Sequence, residues 1–228
     1  MSLTADDLHE YASKKKTEMQ ENDDGIIRYN GDFIEDLLAI SQDFENQYKR
    51  RAAIKSASAV FESIVFELWE QLKKYRSISE AARIILYGKT LSLADNGRIK
   101  ERKTIYPLKI RLRFALNEFN KLYDIDKKCI LTEKLWKDID SFLHVRNKLL
   151  HPDDISILKV GDSEIRLAME LADNMFTLLV LNMNVISIGI AKWKGQDQPD
   201  QLRHPIYLIA ESNFNSAKEY LFQAGIFQ

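Results

Sequence analysis

Residues 131–152 decide how this chain is read: Leu-Thr-Glu-Lys-Leu-Trp-Lys-Asp-Ile-Asp-Ser-Phe-Leu-His-Val-Arg-Asn-Lys-Leu-Leu-His-Pro. Leu135, Ile139, Phe142, Leu149 and Leu150 recur at helical spacing and form one apolar stripe. In the centre of that stripe, where a core residue belongs, stands Arg146. An unpartnered charge out of water costs several kcal/mol, so this position asks for a partner or a ligand. At about 100° per residue a second, polar stripe runs beside the first: Asp140, His144, Asn147 and His151. Pro152 disfavours the α region for His151, which puts the histidine at a C-terminal helix end, where the helix dipole favours an imidazolium.

Outward from this helix the sequence predicts more helices. Ala5 to Gln20 reads as a polar helix, and Asn22-Asp23-Asp24-Gly25 signals a loop within 21–30. From Asp32 to Tyr75 there is no Gly or Pro. Two apolar stripes (Phe33, Leu37, Ile40, Phe44, Tyr48, then Ala57, Phe61, Ile64, Leu68, Leu72, Tyr75) predict two helices or one kinked helix, with the change near Lys49-Arg50-Arg51. A helix from Ser79 to Tyr87 and a turn at Asp95-Asn96-Gly97 follow. An amphipathic helix from Pro107 to Tyr123, with Pro107 in its first turn, comes next. After the motif helix come a short apolar segment at Ile155–Val160, a long helix over Ser163–Ile190, a polar loop from Gly195 to Pro205, and a helix near Ser212–Gln223. With no alternating strand pattern read in it, the sequence predicts an all-α fold. It is an antiparallel helical bundle in one domain, 1–228: an N-terminal helix and loop (1–31), a bundle core (32–191) and a C-terminal extension (192–228). Phe61, Phe66, Trp69, Phe114, Phe119, Trp136 and Phe142 are expected in the core.

Composition narrows the chemistry. In 228 residues, 45% hydrophobic and 29% charged, the net charge is -1, against a surface basic all over; a local basic patch stays open. The single cysteine, Cys129, excludes an intramolecular disulfide framework and a cysteine metal cluster, and it suggests a reducing, cytoplasmic setting. The first nineteen residues lack the apolar run of a signal peptide. The most apolar run, Met175–Ala191, is broken by Asn182, Asn184 and Ser187 and falls short of the ~20 residues a bilayer needs. No Gly-rich phosphate loop is present, so nothing points to a nucleotide cofactor, and the expected cofactor set is empty.

The segment Arg146-Asn147-Lys148-Leu149-Leu150-His151 resembles the Arg-x4-His motif of the HEPN superfamily, in which a polar residue, often Asn, follows the arginine. The resemblance rests on those six residues and on the helical architecture around them. It implies an all-helical, metal-independent endoribonuclease of the kind found among toxins and phage-defence proteins, often beside an antitoxin, that leaves a 2′,3′-cyclic phosphate. The alternative it leaves open is a non-catalytic HEPN-like module that binds RNA, nucleotide or a protein partner. Arg146 would hold the phosphate, His151 would do acid–base work, and Asn147 would orient one of them. The bland alternative is an ion pair tying Arg146 to Glu62 or another acid. On a continuous helix Arg146 and His151 point about 140° apart, so the helix end at Pro152 must re-aim His151 or other helices must contribute.

Other expectations are looser. Lys148, His144 and Asp140 lie beside the motif as candidate substrate contacts; Asp140 and His144 are one turn apart, but His151 is too far along the axis to complete a mononuclear metal site, so no metal is expected. The run from Arg98 to Arg113 carries seven basic residues and one acid, Glu101. Its Lys109, Arg111, Arg113 and Tyr106 are candidates for phosphate contact and base stacking, or else form a solvated helix face. One chain supplies one motif histidine, and in-line cleavage profits from a base and an acid on opposite sides of phosphorus. A two-fold homodimer through the motif helix is therefore expected.

Overall fold

The computed structural model describes residues 3–21, 31–74, 78–122, 131–150, 159–197, 215–219 and 223. The chain is mostly helical, as the sequence predicts: α1 (Ala5–Glu21), α2 (Gly31–Gln42), α3 (Gln47–Lys74), α4 (Glu80–Leu86), α5 (Leu108–Leu122), α6 (Glu133–Leu150) and α7 (Asp162–Asp197), with a further helical stretch at 215–219. Between α4 and α5 lies a two-stranded antiparallel hairpin, β1 (Lys89–Leu93) and β2 (Ile99–Lys103). No described helix is long and apolar enough to cross a membrane. The backbone divides into two compact units, 1–64 with 131–176 and 65–130 with 177–228.

In the first unit the helix ends follow from capping chemistry. Thr4 and Asp7 cap α1 reciprocally: the Asp7 amide donates to Thr4 Oγ1 (3.2 Å) and the Thr4 amide to Asp7 Oδ2 (2.9 Å). The break after α2 comes at 43–46, a few residues before the predicted Lys49-Arg50-Arg51. Asn46 stops the run because its Oδ1 accepts from the amides of Tyr48 (3.0 Å) and Lys49 (3.2 Å), which caps α3. Arg50, 3% exposed, then locks the α3 start to the α7 start. It donates to the carbonyls of Phe44 (2.7 Å) and Val160 (3.3 Å) and to Asp162 Oδ1 (2.8 Å), with its guanidinium over the Phe44 ring. This buried charge is stable because a carboxylate and two carbonyls meet it.

The same unit buries one apolar stripe per helix: Leu8 and Ala12 of α1, Phe33, Leu37 and Ile40 of α2, Ile54, Phe61 and Ile64 of α3, Leu135, Ile139 and Phe142 of α6, and Ile165 and Met175 of α7. Phe61 meets Phe142 edge to face at 6.3 Å between centroids. Lys15 reaches Asp173 across α1 and α7 (3.0 Å). Burial alone would lower the Lys15 pKa, but the Asp173 and Glu18 carboxylates outweigh it and raise it.

The second unit is built on Trp69. Its indole Nε1 donates to the Leu86 carbonyl at the end of α4 (2.6 Å), its ring lies 5.3 Å from Phe114 and 6.5 Å from Tyr106, and the Arg111 guanidinium sits over it at 5.3 Å. Gly88 starts the hairpin with φ +65. A Cβ there would meet the Thr104 carbonyl oxygen at 3.2 Å, which leaves the position to glycine. The Thr104 amide closes the base on the Gly88 carbonyl (2.8 Å). At the tip the Gly97 amide bonds the Ala94 carbonyl (2.8 Å), and Gly97 adopts φ +76. That is a three-residue loop, Asp95 to Gly97, closed by a left-handed glycine, a common hairpin connection.

The hairpin is the feature the helical reading passed over. The Asp95-Asn96-Gly97 turn stands where the sequence predicts it, but of the basic residues that follow it Lys100, Arg102 and Lys103 lie on β2 and Arg98 just before it. Among the aromatic residues expected in the core, Phe66 is 53% exposed, while Phe61, Trp69, Phe119 and Phe142 are buried and Phe114 and Trp136 half-buried.

Candidate functional site

α6 is positioned before its polar face is considered. Thr132 caps it, its Oγ1 accepting from the Leu135 amide (3.4 Å), and Leu135, Ile139, Phe142 and Leu149 bury the inner stripe. Leu150, assigned to that stripe from its spacing, is 43% exposed, because a helix of 3.6 residues per turn carries position 150 past the edge of the stripe that Leu149 closes.

Arg146 lies within the stripe, its side chain 29% exposed. Its Nε donates to the hydroxyl of Ser58 (3.2 Å), its Nη1 to Asn147 Oδ1 (3.0 Å), and its Nη2 to Glu62 Oε1. Ser58, 5% exposed, and Glu62 lie one helical turn apart on α3, so they present two acceptors on the same side to one guanidinium. Glu62 was legible as a partner for Arg146. Ser58 was not singled out, although its i, i+4 relation to Glu62 is the signal that would have found it.

The outer face of α6 carries Asp140, His144, Asn147 and Lys148, all exposed. Asp140, His144 and Asn147 follow the predicted polar stripe as far as it is described, and Lys148 lies beside it. Asp140 has an interaction partner of its own. His151 lies outside the described residues, as do Pro152 and Cys129. Among the described residues no group of His, Cys, Asp and Glu is arranged to hold a metal ion.

The remaining candidates belong to the second unit. Tyr106 is half-buried with its ring against Trp69, and Arg111 is half-buried over the same ring. The Tyr106 ring thus already has an aromatic neighbour inside the protein, 6.5 Å away and tilted by 39°. Lys109 is half-buried, Arg113 is exposed, and both have partners.

No protein-family model matches the chain, and no curated protein or solved structure shows significant similarity to it.

Proposed function

We propose that the chain is a metal-independent endoribonuclease of HEPN type, with Arg146 as the phosphate-holding residue, Asn147 as its positioning partner and His151 as the acid–base. The carrying observation is the state of the Arg146 guanidinium. Three of its five N–H groups are fixed by Ser58, Asn147 and Glu62, which leaves one on each terminal nitrogen at a partly open surface. A guanidinium held from behind in this way is preorganised to meet two oxygens of a phosphate and the charge that develops in a five-coordinate transition state. His151, five residues on, is of the type that takes a proton from a ribose 2′-hydroxyl near neutral pH. The product end is a 2′,3′-cyclic phosphate, since the 2′-oxygen is the internal nucleophile. The working unit is a homodimer that meets through α6, and the partners are RNA and, for a toxin, an antitoxin protein.

Incubating the protein with mixed RNA in EDTA, beside Arg146→Ala and His151→Ala, tests the assignment. Loss of an acid–base group lowers the rate by about 10²–10⁴. Equal cleavage by all three proteins sinks the assignment.

One observation favours a second reading, a non-catalytic module that binds RNA, nucleotide or protein. The Glu62 carboxylate sits on the guanidinium and opposes an incoming phosphate. RNA binding without cleavage, unaltered by His151→Ala, is the result that selects it.

A further inference from the structure

The β1–β2 hairpin has two chemically different faces, and the pairing register sorts them. Thr90 faces Arg102 and Ser92 faces Lys100, so one face carries Thr90, Ser92, Lys100 and Arg102. Arg98, immediately before β2, continues the same alternation. The opposite face pairs Lys89 with Lys103, Leu91 with Glu101 and Leu93 with Ile99. Here Lys89 and Glu101 form an ion pair (2.9 Å), and Leu91, Leu93 and Ile99 are 49%, 74% and 73% exposed.

We propose that the first face is a nucleic-acid-binding ribbon that holds a phosphodiester backbone. Arg98, Lys100 and Arg102 are exposed, and among the described residues no side chain neutralises them. Side chains two apart on a strand are roughly 6.6 Å apart, close to the repeat of successive phosphates along one strand. The hydroxyls of Thr90 and Ser92, across the register, are further donors to phosphate oxygens. From Lys89 to Lys103 the hairpin carries five basic residues against Asp95 and Glu101, a net charge of +3 in a chain whose total is -1. This segregation is what a polyanion requires and a neutral partner does not. Its root is closed by the Thr104 amide on the Gly88 carbonyl (2.8 Å) and by the Thr90–Thr104 hydroxyl contact (3.0 Å). The apolar face explains none of the charge, and the inference does not depend on RNA cleavage.

Fluorescence anisotropy of the full chain in EDTA, with a labelled 20-nucleotide single-stranded RNA and the same sequence as a duplex, tests it. The His151→Ala background keeps the probes intact. The variant R98Q/K100Q/R102Q removes the cationic face, L91S/L93S/I99S removes the apolar one, and K14Q/K137Q/K159Q removes the same charge elsewhere. With three phosphates released on the single strand, the slope of log affinity against log salt falls by about 2 in the first variant. Affinity at 0.1 M salt falls at least tenfold there and under twofold in the other two. Which probe binds more tightly distinguishes a ribbon that follows a single-stranded backbone from one that follows a duplex backbone. Equal weakening by the two charge variants, loss only in the apolar-face variant, or no binding to either probe by the parent overturns the proposal. A ribbon that binds in a chain that never cleaves leaves this inference standing and removes the nuclease reading. A chain that cleaves RNA but whose binding is unchanged in R98Q/K100Q/R102Q does the reverse.

Discussion

Arg146 shows how much one residue announces and how much it withholds. An arginine in an apolar stripe is an anomaly visible in sequence, and so is an acid at helical spacing elsewhere, Glu62. Which nitrogen meets which acceptor depends on the approach of two helices 84 residues apart, and no local pattern contains that. Asn147, expected to orient Arg146 or His151, accepts from Arg146 in the structure. The energetic weight of the cluster is modest, because the Arg146 and Glu62 side chains are 29% and 46% exposed and water screens them. A double-mutant cycle of Arg146→Ala and Glu62→Ala, read by urea unfolding, should give a coupling of about 0.5–1 kcal/mol. A coupling several times larger would make the pair a structural anchor and weaken the case that Arg146 is held for a phosphate.

Elements were legible where one physical signal dominated. α5, α6 and α7 follow their apolar periodicity, although α7 runs on to Asp197, past the end predicted at Ile190 and into the loop predicted from Gly195, and α1 stands where a polar helix is predicted. The α2–α3 break was foreseen but displaced, because the stop is written in the Asn46 side-chain bonds and not in the basic cluster after it. The hairpin was passed over because its strands are five residues each and almost wholly exposed. The alternation Thr-Leu-Ser-Leu around an Asp-Asn-Gly turn was available, but no buried face reinforced it. Capping yields a pH prediction. The hydrogen bonds from Thr4, side chain first and then backbone, hold the Asp7 carboxyl below the ordinary aspartate value of 3.8. A lowered folded-state pKa means a contribution to stability that is complete above that value and disappears as pH falls through the folded one. The difference in melting temperature between the parent and Asp7→Asn should therefore be constant from pH 7 to about 5 and close below the ordinary aspartate value. A gap that persists at pH 2 would show that the capping charge is not its source.

At the scale of the molecule, the division into two units falls at 64/65 and 176/177, inside α3 and α7. A boundary inside a helix carries no Gly, Pro or polar linker, so the sequence had no mark of it to offer. Assembly is the remaining question at this scale. On the proposed reading two copies meet through α6, since one chain brings a single motif histidine and a two-fold axis beside it supplies the second. The residue placed to report on this is Leu150. It is 43% exposed at the last described turn of α6, next to the motif histidine in sequence and beyond the buried Leu149. An exposed leucine beside polar Asn147 and Lys148 gains from burial against its own symmetry mate, whereas two aspartates at that position would repel. Leu150→Asp should raise the dimer dissociation constant on the order of a hundredfold, seen by light scattering at micromolar protein. RNA cleavage should fall with the dimer, while the melting temperature moves little because the side chain is not in the core. A monomeric parent that still cleaves, or a dimer indifferent to Leu150→Asp, removes α6 as the shared surface and returns Arg146 to the intramolecular role that Glu62 and Ser58 already define.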